Sequence, residues 1–191
     1  AVNVQAMVFG NMGDGCATGV AFTRNPASGN KNFYGEWLPN AQGEDVVAGL
    51  RTPNPLNNLN DGSNAQNLPS MEDKMPEIYN ELDTIQNKLE NHFKDMQDVE
   101  FTIQKSQLWM LQTRIGKRNG VAAIRMAVEM AQENLINEKM SIMRINSDHL
   151  DEIMHPALDM EVEKRTSVLA VGLPAGPGGG SGQIVFTADD A

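Results

Sequence analysis

A β-hairpin is predicted over residues 98–114, which read Asp98-Val-Glu-Phe-Thr-Ile-Gln-Lys-Ser-Gln-Leu-Trp-Met-Leu-Gln-Thr-Arg114. Apolar and polar side chains alternate in both halves of this stretch, and alternation with a period of two is typical of strands that bury one face. Asp98, Glu100 and Thr102 therefore share one face of the first strand. The hairpin predicts a sheet with one buried face and one polar face.

The length of the hairpin turn decides which faces match. A two-residue turn would place Glu100 opposite Leu111 and so mix polar and apolar side chains on both faces. A three-residue turn would place Glu100 opposite Met110 and Asp98 opposite Gln112, which leaves the other face apolar. That apolar face would carry the pairs Phe101–Trp109 and Val99–Leu111. We therefore expect a three-residue turn with a bulge and with Ser106 in the left-handed conformation.

The polar face of the hairpin would then gather Asp98, Glu100, Gln112 and Arg114. Carboxylate and amide oxygens are hard ligands that suit Mg²⁺, which usually keeps waters and bridges substrate phosphates. A guanidinium can hold a phosphate through two hydrogen bonds. Short polar patches are common, so the pattern alone leaves an ordinary solvent-exposed face with a weak ion pair as the alternative.

Strands and glycine dominate the first third of the chain. Val2–Phe9 alternates like a half-buried strand, Gly10–Gly19 predicts a loop, and Val20–Arg24 and Phe33–Leu38 predict two extended segments. The glycine loop lacks the Lys-Ser/Thr of a P-loop and the glycine spacing of a dinucleotide-binding fingerprint. It is therefore either a phosphate-facing loop or a simple turn.

Helices are predicted after this region. One helix is expected to begin at Ser70, with Pro76 in its first turn, and to carry an apolar stripe. The stripe comprises Met75, Ile78, Tyr79, Leu82, Ile85, Leu89, Phe93 and Met96. Three shorter helices follow the hairpin, with predicted N-caps at Asn119, Asn137 and Ser147. A glycine-rich stretch at 172–182 precedes a strand-like segment at 183–187. The predicted fold class is α+β.

The composition excludes several classes of protein. The 191 residues carry a net charge of −10, which argues against a nucleic-acid or anionic-membrane partner. The single cysteine, Cys16, excludes an intramolecular disulfide and a cysteine-based zinc site. No apolar stretch is long enough to span a bilayer, so we expect a soluble, cytoplasmic protein. Strand-like segments at both borders predict that the chain is a fragment.

Several long motifs occur in an order that resembles the pyruvate, phosphate dikinase family. They are Val8-Phe-Gly-Asn-Met-Gly-Asp-Gly15, Thr18-Gly-Val-Ala-Phe-Thr-Arg-Asn-Pro26, Asn40-Ala-Gln-Gly-Glu-Asp-Val-Val-Ala-Gly49, Asp98-Val-Glu-Phe-Thr-Ile103 and Leu111-Gln-Thr-Arg114. The phosphoenolpyruvate synthases share the Gln-x-Arg ending but resemble the third motif less. The resemblance extends over nearly the whole chain except an Asn-rich stretch at 57–70.

The resemblance implies a division of the chain into three parts. Residues 1–117 would be the C-terminal part of an ATP-grasp nucleotide-binding domain with a flexible insertion at 57–70, residues 118–170 a helical linker, and residues 171–191 the start of a swivelling phosphohistidine domain. The family converts ATP, phosphate and pyruvate to AMP, pyrophosphate and phosphoenolpyruvate through a phosphohistidine. The remainder of the polypeptide would supply that histidine and a pyruvate-binding barrel, and the parent enzyme would be a homodimer.

The resemblance also implies roles for residues of this sequence. Glu100 and Gln112 would hold Mg²⁺ and the nucleotide phosphates, with Asp98 beside them, and Arg114 would hold the transferring phosphoryl group. Thr18 and Gly19 would lie against the phosphates. The family's Thr-Ser-His-Ala segment is not in this sequence, so none of its three histidines is the phosphate carrier and the chain alone is expected to be inactive. The alternatives are a phosphoenolpyruvate synthase-type enzyme and a stand-alone, non-catalytic nucleotide-binding module.

Overall fold

The fold is a mixed α+β arrangement built on one antiparallel sheet, as the sequence predicts. The computed structural model describes residues 6–47, 51–59 and 68–154, together with residues 2, 4, 159, 162, 165–170, 182 and 183. The strands are β1 (Ala17–Phe22), β2 (Tyr34–Pro39), β3 (Asn54–Pro55), β4 (Gln97–Gln104) and β5 (Gln107–Ile115). The five strands lie in the order β3-β2-β1-β4-β5, and each neighbouring pair is antiparallel.

Helices cover one face of the sheet and follow its last strand. They are α1 (Gly43–Val47), α2 (Met71–Lys74), α3 (Pro76–Phe93), α4 (Gly120–Gln132), α5 (Glu138–Met143) and α6 (Ser147–Met154). The predicted caps of α4 and α5 are confirmed, since the Asn119 side chain accepts from the Ala122 N–H and the Asn137 side chain from the Met140 N–H, both at 2.8 Å. In the described part of the chain, no helix is long and apolar enough to cross a membrane.

The β4–β5 hairpin has a two-residue turn, so the predicted three-residue turn is wrong. Lys105 and Ser106 form the turn with φ values of 52° and 60°, which is the left-handed geometry that matches the twist of a two-residue hairpin. The left-handed conformation predicted for Ser106 is confirmed. The register shifts further along, where Leu111 bulges between the rungs of Glu100 and Phe101. The prediction assumed strict alternation along both strands and therefore gave the wrong turn length. A bulge reverses which face of the sheet the later side chains of the strand occupy.

The bulge gives each half of the hairpin its own matching pairs. Near the turn, Met110 lies opposite Phe101 and packs against the core, whereas Trp109 lies opposite Thr102 and is 41% exposed. The predicted Phe101–Trp109 and Val99–Leu111 pairs are therefore wrong. Beyond the bulge, the polar pairs are Asp98–Arg114 and Glu100–Gln112.

The main core lies between the sheet and α3. Val99, Phe101 and Ile103 of β4 are fully buried and cluster with Leu82 of α3 and Trp37 of β2. Burial of each such large side chain contributes about 1.5–3 kcal/mol relative to exposure. The opposite face of β4, which carries Asp98 and Glu100, points away from this core because side chains alternate along a strand.

The single helix predicted from Ser70 to Met96 is wrong at both ends. Ser70 caps only the short α2, and the chain breaks at Met75, whose φ of −139° and ψ of 60° are not helical. The cause is Pro76, because a residue that precedes proline is disfavoured in the helical conformation. At the other end, Lys94 takes the left-handed cap conformation, and Met96 lies in a second core with residues of α4.

The N-terminal predictions need correction as well. Among residues 2, 4 and 6–9, which the structure describes, none is in a strand, and the Phe9 N–H donates to the Gln104 side chain at 2.7 Å. β1 begins at Ala17, so Thr18 and Gly19 belong to a central strand and not to the predicted loop. A strand needs a partner ladder, and β1 has one on each side, β2 and β4.

Two further predictions concern ranges that the structure describes only in part. At the ends of the predicted insertion 57–70, Asn57 and Ser70 are both buried, and Asn57 donates to the Phe33 carbonyl. Residues 60–67 lie outside the described residues. The strand predicted at 183–187 also lies outside them apart from Gln183.

A buried ion network joins the sheet to α3 and α4. Arg24 follows β1 and is fully buried, and its guanidinium donates to Glu90 of α3 and to Glu133 at the end of α4, each at 2.8 Å from Nη2. Burial lowers the pKa of Arg24, but the hydrogen bonds to Glu90 and Glu133 outweigh this effect and raise the pKa above its ordinary value. The network fixes α4 against the strand that carries Thr18 and Gly19.

Candidate nucleotide and metal site

The structure places five of the six predicted site residues on one face of the sheet, and four of them form two neighbouring cross-strand pairs. Glu100 of β4 lies directly opposite Gln112 of β5, and Asp98 lies directly opposite Arg114 on the same side of the bulge. Residues directly opposite each other on one face have Cβ atoms about 4.5–5.5 Å apart. The Glu100 carboxylate and the Gln112 amide can therefore reach one bound ion. This face points away from α3, because the intervening Val99 and Phe101 belong to the core.

Asp98 and Arg114 form an ion pair at the edge of this face. The Arg114 Nε donates to the Asp98 Oδ2 at 2.7 Å, and the carboxylate side chain is only 9% exposed whereas the guanidinium side chain is 58% exposed. The hydrogen bond to Asp98 raises the pKa of Arg114 above its ordinary value, and the charge of Glu100 adds to the rise. In the described part of the chain, neither Nη of Arg114 has a hydrogen-bond partner, so both remain available to an oxyanion.

The donor set fits Mg²⁺ better than metals that need a full protein cage. Among the described residues, no group of three His, Cys, Asp or Glu side chains could hold a metal. One carboxylate and one amide oxygen, from Glu100 and Gln112, suit an ion that is bound by one or two protein groups plus waters and substrate phosphates. A zinc site, in contrast, takes three or four protein ligands rich in nitrogen and sulfur.

Thr18 and Gly19 lie in β1, on opposite faces. Thr18 is opposite Thr102 of β4, and its hydroxyl donates to the Phe101 carbonyl at 3.2 Å. A Cβ on Gly19 would lie 2.5 Å from Phe101 Cζ and 2.6 Å from the Glu36 carbonyl oxygen, which places it on the core face. Thr18 thus shares the face of Glu100, whereas Gly19 allows close packing below it. Their predicted contact with phosphates stays a prediction.

Glu36 is an acidic residue of this face that the sequence analysis missed. It lies opposite Val20 of β1, and Val20 lies opposite Glu100 of β4, so the two glutamates are separated by two strand spacings, about 10 Å. Burial raises the pKa of Glu36 above its ordinary value. Alternation in the predicted strand Phe33–Leu38 could show which residues share a face with Glu36. Only the pairing of β2 with β1 shows that this is the face of Glu100.

A comparison with protein families decides the relationship of the chain. The family model described as "Pyruvate phosphate dikinase, AMP/ATP-binding domain" matches residues 1–64 and 56–135, which include all six predicted site residues. The chain belongs to this family. The two matched stretches overlap at residues 56–64, where the Asn-rich stretch 57–70 begins.

Curated members of the pyruvate, phosphate dikinase family match the chain along its whole length. The pyruvate, phosphate dikinase of Rhizobium meliloti is 52% identical over 191 residues, which are 100% of this chain and 21% of the relative. The chloroplastic enzyme of Flaveria pringlei is 51% identical and pyruvate, phosphate dikinase 2 of Oryza sativa subsp. japonica is 52% identical, and the match again covers 100% of this chain but 19% and 20% of these relatives. The chain spans about a fifth of the length of the curated relatives it matches.

Proposed function

We propose that this chain forms part of the ATP-binding portion of a pyruvate, phosphate dikinase. The whole enzyme would convert ATP, phosphate and pyruvate to AMP, pyrophosphate and phosphoenolpyruvate through a phosphohistidine. The observation that carries the proposal is the pairing of Glu100 with Gln112 beside the Asp98–Arg114 ion pair, on one sheet face inside the region that the family model matches. A sheet face that is merely exposed to solvent does not account for the Glu100–Gln112 and Asp98–Arg114 pairs side by side within the region that the family model matches.

The proposed roles follow from the chemistry of each side chain. Glu100 and Gln112 hold Mg²⁺, which neutralises phosphate charge when it is bound. Arg114 is the cation of the site: Asp98 holds its Nε, so the guanidinium is oriented before the nucleotide arrives and its two Nη groups can bind phosphoryl oxygens. Phosphoryl transfer depends mainly on such positioning and charge neutralisation. Thr18 and Gly19 would contribute the strand next to the phosphates.

The division of the chain is also proposed. Residues 1–117 form the end of an ATP-grasp domain, residues 118–170 the helical linker and residues 171–191 the start of the phosphohistidine domain. The position of α4, α5 and α6 inside 118–170 supports the linker. A homodimeric parent enzyme and a cytoplasmic location stay predictions, and some relatives are named chloroplastic.

An assay of the native gene product tests the proposal. Antibodies raised against this chain would isolate the product from cell extract, and AMP formation from ATP would be measured with and without pyruvate, phosphate and Mg²⁺. We expect a polypeptide several times larger than 20.9 kDa that forms AMP only when pyruvate, phosphate and Mg²⁺ are all present. Pyruvate-dependent AMP formation without phosphate would instead support the phosphoenolpyruvate synthase-type alternative. A product near 20.9 kDa without turnover would support the non-catalytic module.

A further inference from the structure

A cavity lies where the C-terminal helices meet the end of the sheet, and none of the six predicted site residues lines it. Its volume is about 180 Å³, and its floor is apolar, formed by Ala123, Met126 and Met130 of α4. Its remaining lining includes charged and polar groups from separate parts of the chain, Asp95, Arg118, Arg144 and His149. A cavity of about 150 Å³ is large enough for a molecule such as benzene. This cavity therefore has room for a small organic molecule with one polar end.

The charges that line the cavity do not cancel. Arg118 Nη1 lies 2.7 Å from Asp95 Oδ1, and Arg144 Nη1 lies 3.6 Å from the same oxygen. One carboxylate thus serves two guanidiniums, and no other Asp or Glu is among the described residues that line the cavity. The lining retains one positive charge, although the whole chain carries −10. The Arg144 side chain is 23% exposed and the Arg118 side chain 13% exposed, so water screens their charges only in part and the cavity favours a monoanion.

His149 gives an independent indication of a ligand. Its Nδ1 is buried and has no hydrogen-bond partner among the described residues, while its backbone N–H is bound to the Asn146 side chain. Buried polar atoms in proteins are almost always paired. The imidazole lines the same cavity as Arg118 and Arg144. In the tautomer that carries hydrogen on Nδ1, it has one donor without a partner among the described residues.

We propose that this cavity binds a small aliphatic carboxylate. The carboxylate group would accept hydrogen bonds from His149 and from the guanidinium of Arg144, which lies farther from Asp95 than Arg118 does. The aliphatic part would lie on Met126 and Met130. The apolar floor favours a carboxylate over inorganic phosphate, because phosphate would turn polar oxygens toward methionine and alanine side chains. The polar groups precede α4, end α5 and lie in α6, so a bound carboxylate fastens these helices to the sheet.

Titration of the full 191-residue chain with propionate tests this proposal. Binding would be followed by the ¹⁵N signal of the His149 imidazole, assigned with His149→Phe, and by the thermal midpoint of unfolding, which a ligand of the folded state raises. We expect saturable binding that Arg144→Gln weakens by about tenfold or more, since a charged hydrogen bond is lost. Arg125→Gln removes an exposed arginine of α4 that is paired with Glu129 and is the matched control.

Each outcome bears on the proposal. Absence of saturable propionate binding overturns it, and so does equal affinity in the wild type and Arg144→Gln. If inorganic phosphate binds and propionate does not, the cavity is an inorganic oxyanion site and the carboxylate assignment is wrong. If Arg144→Gln fails to fold, His149→Phe decides, because it removes the donor and leaves the Asp95–Arg118 pair intact. Unchanged propionate affinity in that variant also overturns the proposal.

Discussion

Glu100 and Gln112 lie directly opposite each other on β4 and β5, and the bulge at Leu111 is what brings them together. Without the extra residue, the two-residue turn would place Leu111 opposite Glu100 and turn the Gln112 side chain to the core face. The bulge thus reverses the alternation of β5, so Met110 faces the core before it and Gln112 and Arg114 face away from the core after it. Bulges commonly redirect side chains next to active sites, and here the bulge places a carboxylate and an amide on one rung.

Replacement of Glu100 by glutamine tests the proposed metal site. The amide keeps the shape of the side chain but loses its charge, so the affinity for MgATP should fall by about tenfold or more, which corresponds to about 1.4 kcal/mol. ATP would be titrated into the intact native enzyme with and without Mg²⁺, and the difference between the two affinities is the measured quantity. We expect that difference nearly to disappear in Glu100→Gln.

Glu81→Gln provides the matched control for that experiment. It makes the same change of charge at an exposed position of α3, a helix that packs on the opposite face of the sheet. Its Mg²⁺-dependent affinity for ATP should equal that of the wild type. If Glu100→Gln behaves like Glu81→Gln, Glu100 is not a metal ligand.

Arg114→Lys tests whether the guanidinium fork matters beyond its charge. Lysine keeps the positive charge but cannot bind Asp98 and a phosphoryl group at once through a planar fork. We expect the turnover of the native enzyme to fall by about tenfold or more, with little change in the free energy of unfolding because an ion pair with a largely exposed partner contributes little. Full activity of the lysine variant would argue that Arg114 acts only as a point charge.

The sequence predicts much of this site but not its register. Alternation predicts that Asp98 and Glu100 share one face of β4, and it places the hairpin over nearly the same residues as β4 and β5. The alternation does not reveal the bulge at Leu111, because the residues before and after it each alternate regularly and only their assignment to the two faces is reversed. Glu36 joins the same face through strands that are remote in sequence, and single-strand patterns carry no information on such pairing.

The helical errors have a local cause that sequence analysis could have used. An apolar stripe at helical spacing continues through Met75 and Pro76, so periodicity alone joins α2 to α3. The restriction that proline places on the preceding residue divides them. Met96 continues the stripe only by its spacing. It belongs to the second core, in which Met126 and Met130 of α4 pack with Met96 and with Phe22 of β1.

Gly19→Ala should destabilise the fold through the close approach of β1 to Phe101. The added methyl would lie 2.5 Å from Phe101 Cζ and 2.6 Å from the Glu36 carbonyl oxygen, and a backbone oxygen in a central strand cannot move aside easily. We expect a loss of about 1–3 kcal/mol or more, measured by urea unfolding. Gly43→Ala is the control, because a Cβ at that position has no heavy atom within 4 Å. Equal stability of the two variants would contradict the packing role of Gly19.

Glu133→Gln tests the ion network around Arg24 through its dependence on pH. Glu133 contacts both Arg24 and Lys31, and although burial raises its pKa, the hydrogen bonds to these cations lower the pKa of Glu133 below its ordinary value of 4.5. A lowered pKa in the folded state means that the stabilisation is complete above pH 4.5 and is lost as the pH falls through the folded value. The glutamine variant should therefore be less stable than the wild type at pH 7 by up to about 1 kcal/mol, and the gap should close in acid.

Urea unfolding at pH 7 and at successively lower pH values down to about 3 measures that gap. Glu138→Gln makes the same change of charge at an exposed position in the first turn of α5 and is the control. Because Glu138 is outside the Arg24 network, this variant's difference in stability from the wild type should not follow the pH dependence expected for Glu133→Gln. The sign is the critical point: if the loss of stability in Glu133→Gln grows as the pH falls, the carboxylate does not stabilise Arg24 in the folded state. Arg24 would then be held mainly to α3 through Glu90, whose carboxylate binds Nε and Nη2 of the same guanidinium. Its remaining described contact with α4 would be the 3.6 Å approach of Nη1 to Glu129.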